Sequence, residues 1–283
     1  MNENATRTLR RIPLHLVLMG IAVAWFIPSL GLLISSFRPA EAIASTGWWM
    51  VFVPPTELTT NLYQEALSDN NMARSFVNSL FITIPATVLP IMAAAFAAYA
   101  FAWLDFPGRN ILFVMVVALL VVPLQLTFIP ILRIYNTVGL TGTFPGIWLA
   151  HAAYGLPFAI YLLRNTIGGL PKDLFESAYL DGASSFDIFF FIVLPLAVPA
   201  LASLVIFQFL WVWNDLLVAL IYLGGSPAVA PMTVTISNLV NSLGGNWQVL
   251  TAAAFISMAL PLLVFFALQR YFVKGILAGS VKG

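Results

Sequence analysis

The chain has 283 residues, of which 61% are hydrophobic and only 8% charged, with a net charge of +1. A soluble domain averages about 25% charged residues, so most of this surface is expected to face lipid. The small net charge gives nucleic acid binding no electrostatic support. The absence of cysteine excludes disulfides, thiol catalysis and zinc–thiolate sites. The two histidines, His15 and His151, are far apart and form no metal-binding pattern.

Six apolar stretches are each long enough to cross the roughly 30 Å of hydrocarbon in a bilayer as a helix. Helices are favoured over barrel strands because the apolar runs are long and do not alternate with polar residues. The sequence therefore predicts an all-α membrane protein with one domain over residues 1–283. Its predicted spans lie near 12–36, 75–103, 111–133, 145–164, 196–223 and 247–273. The first span is interpreted as an uncleaved anchor, because its apolar run is longer than that of a signal peptide.

The basic residues predict the orientation of the spans, because cytoplasmic loops are enriched in Lys and Arg. With the N-terminus inside, cytoplasmic basic residues outnumber external ones roughly threefold, which favours both termini inside the cell. The residues then predicted to be external are Arg38, Arg74 and Arg133. Those predicted to be cytoplasmic are Arg7, Arg10, Arg11, Arg109, Arg164, Lys172, Arg270, Lys274 and Lys282.

The internal segment between the fourth and fifth spans, residues 165–195, predicts a short helix–turn–helix. A helix is expected to begin between Pro171 and Asp173, since proline and acids are preferred in a first turn. Gly182 is expected to end it, and a second helix then leads into the fifth span. The pattern fits either an amphipathic helix at the membrane surface or a docking site for another protein. No Walker-type phosphate loop is present, so ATP hydrolysis by this chain is not expected.

Residues 176–195 read ESAYLDGASSFDIFFFIVLP. Glu176, Ala178, the triplet Asp181–Ala183 and the pair Leu194–Pro195 stand in the order of the EAA signature, and Ser177 replaces the usual alanine. The chain thus resembles the permease subunits of binding-protein-dependent ABC importers of carbohydrate type, the MalG-like members of the maltose/α-glucoside transporter family. Further similar segments are SFRP at 36–39, NSL at 78–80, AAYAFAWLDFPGR at 97–109, WND at 213–215, LTAAAF at 250–255 and QRYFVKGILAGSVKG at 269–283.

The resemblance implies a type I ABC importer transmembrane-domain fold, in which the EAA loop at 171–195 forms a cytoplasmic coupling helix. Glu176 would pair with a basic group of the ATPase, Ala178 would allow close approach, and Gly182 would make the bend. The implied ATPase-coupling residues are Glu176, Ser177, Ala178, Asp181, Gly182 and Ala183. The C-terminal tail would insert between the ATPase subunits through Gly279, Lys282 and Gly283. An external loop would contact the binding protein through Asn241, Gly244 and Gly245.

The function implied by the resemblance is a non-catalytic permease subunit of an ATP-driven sugar importer. It would form half of the pathway for a di- or oligosaccharide, such as the α-glucosides maltose, sucrose or trehalose, in a bacterial or archaeal cytoplasmic membrane. The expected partners are a second, homologous permease subunit in a heterodimer, two copies of an ABC ATPase, an extracytoplasmic sugar-binding protein and lipid, without nucleic acid. The chain itself is expected to bind no metal or cofactor, since ATP and Mg²⁺ would lie on the ATPase subunits.

The fifth predicted span contains a candidate substrate face. A charged group at a span's centre costs about 2.5–3.5 kcal/mol on insertion scales, so Asp215 is expected to face protein or water. Gln208, Trp211 and Asp215 lie at i, i+3 and i+7 and would share one helical face. Carboxylate and amide groups suit sugar hydroxyls, and an indole suits the apolar face of a pyranose. The three are interpreted as lining the substrate pathway; a structural bond of Asp215 to a neighbouring helix is the alternative.

Other polar residues in the spans are interpreted as bonds between helices. His151 and Tyr154 share a face of the fourth span, and Gln125 and Thr127 lie in the third. The prolines within the spans are expected to kink helices; they are Pro85, Pro90, Pro123, Pro130 and Pro157. An alternative function, a stand-alone transporter driven by an ion gradient, would require an ion site, for which Asp215 is the only intramembrane acid predicted.

Overall fold

The computed structural model describes residues 3–68, 71–239 and 247–280, and these contain helices and no β-strand. The longer helices cross the membrane, and short ones join them. In chain order they are α1 (Glu3–Ser36), α2 (Ala40–Ser45), α3 (Asn61–Ser68), α4 (Met72–Trp103), α5 (Arg109–Ala118), α6 (Leu124–Val138), α7 (Phe144–Gly168), α8 (Lys172–Leu180), α9 (Ser185–Ile188), α10 (Leu194–Trp213), α11 (Leu217–Tyr222), α12 (Met232–Leu239) and α13 (Trp247–Ser280). Two 3₁₀ segments, Trp48–Phe52 and Leu119–Val121, and one π segment, Phe189–Val193, complete the path.

Five helical segments of the described chain are long and apolar enough to span a membrane, and a bent pair would make a sixth. The five are Pro13–Ser36, Met72–Trp103, Phe144–Gly168, Ser185–Trp213 and Gln248–Gln269. The predicted all-α membrane fold is thereby confirmed. The bent pair corresponds to the third predicted span, 111–133.

The third predicted span, 111–133, is broken near its centre. Arg109–Val121 and Leu124–Val138 meet at an angle of 103°. Val122 and Pro123 between them are extended, with ψ angles of 118° and 124°. Proline has no amide proton for the helical ladder, and it pushes the preceding residue out of the helical region. A kink was expected at Pro123, and the structure has a sharper break there.

The fifth predicted span, 196–223, is shifted towards the N-terminus. In the structure this span extends from Ser185 to Trp213, and Asn214 is its C-terminal cap. The Asn214 side-chain amide donates to the carbonyl of Leu210 at 2.8 Å, which occupies a carbonyl at the helix end. Asn and Asp compete with the helical ladder in this way and favour helix ends. The residues after Asp215 form the separate short helix α11.

The chain divides into two compact units. The first comprises Met1–Met72 and Ile236–Ile256. Within it the buried guanidinium of Arg38 donates to the carbonyls of Ala42 and Gly47, both at 3.1 Å. These bonds hold the connection between α1 and the 3₁₀ segment, because a buried guanidinium is stable only when its donors are satisfied. The prediction of a single domain concerns the whole chain and stays a prediction.

The second unit comprises Ala73–Thr235 and Ser257–Gly283, and it has two apolar cores. One core joins α4, α7, α8 and α10, with Leu163, Ile167, Phe175, Ile188 and Val193 almost fully buried. The other core joins α4, α6, α7 and α11 around the buried ring of Tyr222. Helices α4 and α7 contribute to both cores.

Four backbone carbonyls of this unit share an unusual feature: each accepts a side-chain N–H from another helix, and each stands four residues before a proline. Proline cannot donate to the carbonyl four residues earlier, and within lipid a freed carbonyl needs another donor. The donors and acceptors are Trp148 Nε1 to Phe81 O at 2.9 Å, Gln208 Nε2 to Ala86 O at 3.1 Å, Trp103 Nε1 to Ile167 O at 2.9 Å, and Trp213 Nε1 to Ser257 O at 3.0 Å. Pro85, Pro90 and Pro261 lie inside helices and free the carbonyls of Phe81, Ala86 and Ser257. Pro171 lies after the end of α7, and the carbonyl of Ile167 also accepts the amide of Leu170 at 3.2 Å.

Candidate functional site

The segment predicted as the coupling helix is α8 together with the turn that follows it. Pro171 precedes its first residue, and Asp173 lies in the first turn. Gly182 has a φ of +85°, and its amide donates to the carbonyl of Tyr179 at 3.1 Å, while the amide of Ala183 donates to that of Ala178 at 3.0 Å. This pair of bonds is the Schellman motif, which places glycine in the left-handed conformation just after a helix. The bend is thus fixed by backbone chemistry at Gly182.

The helix after the bend is also fixed locally. Ser184 and Asp187 form a capping box: the Asp187 amide donates to the Ser184 hydroxyl at 3.2 Å, and the Ser184 amide donates to the Asp187 carboxylate at 2.9 Å. Such a reciprocal pair satisfies two amides at a helix start. From α9 the helix continues through the π segment into α10, so the turn connects directly to a span.

The outward face of α8 combines acidic and apolar side chains. Glu176, Ser177 and Asp181 are exposed. The Glu176 carboxylate accepts from Lys172 Nζ at 2.8 Å, and this hydrogen bond and the carboxylate charge raise the pKa of Lys172. An exposed pair of this kind stabilises a helix little, so Glu176 remains available to another basic partner. Three apolar side chains accompany it on the exposed surface: Leu174, Tyr179 and Leu180.

The inward face of α8 contains a residue that the sequence analysis missed. Phe175 is 2% exposed, and its ring stacks on the indole of Trp103 with centroids 3.7 Å apart and planes 17° from parallel. Ala178 is half-buried against the same core. Since Phe175 and Ala178 lie three positions apart within a polar stretch, the helical periodicity marks them as the inward face.

A second candidate region is a cavity of about 280 Å³ between α7 and α10. Its lining is mainly apolar, with an amide and a phenol as its polar groups. The lining residues are Tyr154, Gly155, Phe158, Leu204, Phe207, Gln208 and Trp211. An apolar, aromatic cavity with few polar groups is typical of small-molecule sites. Two of the three predicted pathway residues, Gln208 and Trp211, therefore lie together in one cavity wall.

Gln208 is held by the backbones of two neighbouring helices. Its Nε2 donates to the carbonyl of Ala86 on α4 at 3.1 Å and, more weakly, to that of His151 on α7 at 3.4 Å. Gly155 makes room for the amide, because a Cβ at position 155 would come closer than 3.0 Å to the amide atoms of Gln208. The side chain joins α4, α7 and α10 at the cavity.

Asp215 lies two residues beyond the end of α10 and is not among the residues that line the cavity. Its carboxylate accepts from the amides of Val218 at 3.3 Å and Ala219 at 3.0 Å, which begin α11. Because α10 ends first, Asp215 does not share a helical face with Gln208 and Trp211 as expected. His151 Nε2 is 3.7 Å from its Oδ2. The carboxylate thus makes the kind of structural contacts that the alternative interpretation described.

Trp211 and Tyr154 are positioned by buried neighbours. The Trp211 ring meets the imidazole of His151 edge to face, at 5.3 Å and 89°. The Tyr154 hydroxyl lies 2.8 Å from both the Thr127 and Tyr222 hydroxyls. Tyr154 and Thr127 thus bond across helices as predicted from their places in the spans. Tyr154, a weaker candidate for the pathway from the sequence, also lies in the cavity wall.

Most of the other predicted contact residues lie outside the described residues. Asn241, Gly244 and Gly245 of the external loop fall outside the described residues, as do Lys282 and Gly283 of the tail. Gly279 falls within α13. Among the residues that the structure describes, no group of three or more His, Asp or Glu side chains could hold a metal ion.

Comparisons with known proteins identify the family to which this chain is similar. Residues 86–278 match the family model described as "binding-protein-dependent transport system inner membrane component". The osmoprotective compounds uptake permease protein GgtD of Synechocystis sp. is 60% identical over 98% of this chain and 94% of its own length. The α-glucoside transport system permease protein AglG of Rhizobium meliloti is 58% identical over 81% of this chain and 62% of its own length.

A solved structure has the same fold. A chain from the crystal structure of a bacterial ABC transporter that imports the acidic polysaccharide alginate superposes with a TM-score of 0.77. The superposition covers 96% of this chain and 99% of that one, at 22% identity. The chain therefore belongs to the family of inner membrane components of binding-protein-dependent transport systems, and it is an ABC importer permease of the carbohydrate type.

Proposed function

We propose that this chain is one of two homologous membrane subunits of an ATP-driven importer, and that its substrate is a di- or oligosaccharide of the α-glucoside class. The observation that carries the proposal is the exposed face of α8, which presents the EAA signature while Phe175 fixes the helix to the spans. Two ATPase subunits would bind ATP and Mg²⁺, and this chain would perform no covalent chemistry. A sugar-binding protein would deliver the substrate from outside.

The docking part of the proposal rests on the composition of the α8 surface. Leu180 lies one turn after Glu176 and is 88% exposed, and Tyr179 beside it is also exposed. Exposed apolar residues beside a charge are typical of a protein interface, where a desolvated ion pair gives specificity and the apolar contacts exclude water. Glu176 would exchange Lys172 for a basic group of the ATPase.

The substrate part rests on the cavity and on the relatives. Trp211 offers an aromatic face, and Gln208 and Tyr154 offer polar groups beside it. The relative from Rhizobium meliloti is named for α-glucoside transport, and the one from Synechocystis for osmoprotective compounds. The first of these names supports an α-glucoside as the substrate class.

The proposed setting is a bacterial or archaeal cytoplasmic membrane with both termini inside, as the distribution of basic residues favours. In that orientation α8 faces the cytoplasm, where ATPase subunits would be found. ATP-driven closure of those subunits would move the coupling helices together and convert an inward-open pathway to an outward-open one.

The competing proposal, an ion-coupled transporter acting alone, has less support. It requires an acid free to exchange an ion or proton within the spans. Asp215, the predicted candidate, has its carboxylate engaged by two amides of α11. Intramembrane acids that serve transport are usually found facing the ion pathway.

The test is sugar uptake into proteoliposomes that contain this chain, its partner permease, the ATPase subunits and the binding protein. Uptake is expected only with ATP and all components present, and α-glucosides are expected to stimulate ATP hydrolysis most within a panel of sugars. Sugar accumulation by the chain alone under an ion gradient would reject the proposal.

The charge reversal Glu176→Arg tests the coupling role within the same preparation. It is expected to abolish ATP-driven uptake, because it places a cation opposite the basic group of the ATPase. Asp173→Arg is the matched control, since it reverses another exposed acid of the same helix outside the signature. Normal uptake by the Glu176→Arg complex would remove the coupling role from Glu176.

A further inference from the structure

The chain leaves α8 through the turn fixed at Gly182, which leads directly into α10. It enters α8 from α7 through the short segment Gly169–Pro171. Helix α4 has no neighbouring position in the chain, so any connection between α8 and α4 must come from side-chain packing.

The packing that fixes α8 is centred on one indole. Trp103, at the last residue of α4, stacks on the buried ring of Phe175 with centroids 3.7 Å apart. The same indole donates its N–H to the carbonyl of Ile167, near the end of α7, at 2.9 Å. The Ile167 carbonyl also accepts the amide of Leu170 at 3.2 Å, so the indole is an additional donor at the end of α7. One side chain thereby joins α4, α7 and α8.

A second contact joins the same two spans at the cavity. Gln208 donates to the carbonyls of Ala86 on α4 and His151 on α7. Along each helix the two contacts are separated by about 25 Å, at 1.5 Å per residue. Helices α4 and α7 thus form a frame with Trp103 at its coupling-helix end and Gln208 at its cavity end.

We propose that Trp103 is the positioning residue through which movement of the coupling helix reaches the cavity wall. A displacement of α8 moves the Phe175 ring, the stacked indole moves with it, and the ends of α4 and α7 follow together. Because the two apolar cores together pack both helices from the Trp103 end to the Gln208 end, the displacement is delivered to Gln208 at the cavity. The inference rests on the proposed function, since it assigns the route by which that function is powered.

The test compares sugar molecules transported per ATP hydrolysed in the reconstituted complex. Trp103→Phe keeps a ring against Phe175 but removes the N–H that bonds Ile167; Phe175→Leu keeps apolar bulk but removes the stack. Each is expected to lower the ratio by about threefold or more, the effect of losing one interhelical bond in a membrane protein. ATP hydrolysis itself is expected to continue, because the exposed face of α8 is unchanged.

Trp148→Phe is the matched control. Its indole also bonds α7 to a proline-freed carbonyl of α4, that of Phe81, but Trp148 is not among the residues that line the cavity. Its transport ratio is expected to stay at the wild-type value. All ratios are normalised to complexes in which the ATPase subunits copurify in full, so that loss of assembly is not mistaken for loss of transmission.

The outcomes separate this inference from the proposed function. If the wild-type complex does not transport sugar with ATP, the proposed function fails and this inference fails with it. If the wild-type complex transports and both the Trp103→Phe and Phe175→Leu ratios equal the wild-type ratio, only the transmission role is overturned. An equal fall in the Trp148→Phe ratio would also overturn it, because any α4–α7 bond would then suffice.

Discussion

Pro90 determines what Gln208 does in this molecule. It leaves the carbonyl of Ala86 without a helical donor, and Ala86 is fully buried, so no water is at hand to satisfy it. Gln208 Nε2 instead donates to the Ala86 carbonyl at 3.1 Å. A residue proposed for its sugar-binding chemistry thus has a structural role on its nitrogen side.

Gly155 is predicted to be the residue most sensitive to added volume at the cavity. Gly155→Ala would place a methyl group against the Gln208 amide and displace it from Ala86. The loss of one interhelical bond is expected to cost about 0.6 kcal/mol, with about 1.7 as an upper value. We expect a severalfold weaker apparent affinity for sugar in uptake assays.

The control for this substitution is Gly20→Ala in α1. A Cβ at position 20 would meet nothing within 4 Å, so this variant is expected to keep wild-type uptake. If the apparent affinity of the Gly155→Ala complex equalled that of the Gly20→Ala complex, the close fit of Gln208 against α7 would have no part in the cavity.

Side-chain roles were only partly predictable from the sequence. Gly182 was assigned to the bend because the left-handed turn after a helix favours glycine whatever surrounds it. Phe175 and Trp103 were missed because their stack joins residues that are distant in sequence. In a chain that is mostly apolar, a single apolar residue also carries no signal that distinguishes it. Asp215 was misplaced because the helix was extended over Asn214, whose amide bonds the Leu210 carbonyl and ends α10.

At the scale of elements, three prolines inside helices coincide with contacts between helices. Pro85, Pro90 and Pro261 each leave a carbonyl four residues earlier without its helical donor, and a side chain of another helix donates to it. The sequence identifies these carbonyls but not the side chain that bonds them. Two of the three donors are tryptophans, whose indole N–H is a donor only and usually finds a partner when buried. This requirement orders the contacts of α4 with α7 and of α10 with α13.

The contact between Trp213 and Ser257 allows a direct test of this rule. Trp213→Phe removes the N–H donor, and Pro261→Ala returns a backbone amide to the carbonyl of Ser257. In a double-mutant cycle, Trp213→Phe is expected to destabilise the protein less when Pro261→Ala is present, by roughly 0.5–1.5 kcal/mol. The measurement is the free energy of unfolding in detergent micelles.

The cycle removes the effect of lost ring volume, because the same volume is lost in both backgrounds. Trp213 is buried and stacks with Phe209 at 5.6 Å, so its replacement costs packing energy in either case. Strictly additive effects of the two substitutions would show that the bond to the freed carbonyl contributes nothing to stability.

For the whole molecule, the apolar composition predicted where the spans lie, but it did not predict the angles between helices. The apolar runs identified the spans because lipid requires about 20 apolar residues per crossing. The 103° break after Val121 was not predicted, since a proline in a membrane helix produces anything from a slight kink to a full break, and neighbouring helices decide which. Orientation depends on the balance of basic residues and can be tested without a structure.

The absence of cysteine makes that test simple, because any introduced thiol is the only one in the chain. Glu57→Cys places a thiol in the predicted external segment, and Asp105→Cys places one in the predicted cytoplasmic turn, where the native side chain is 97% exposed. A membrane-impermeant maleimide is expected to label the first variant in intact spheroplasts and the second only after permeabilisation. The unsubstituted chain is the blank. The reverse labelling pattern would put α8 outside the cell, away from any source of ATP, and would remove the basis for a coupling helix.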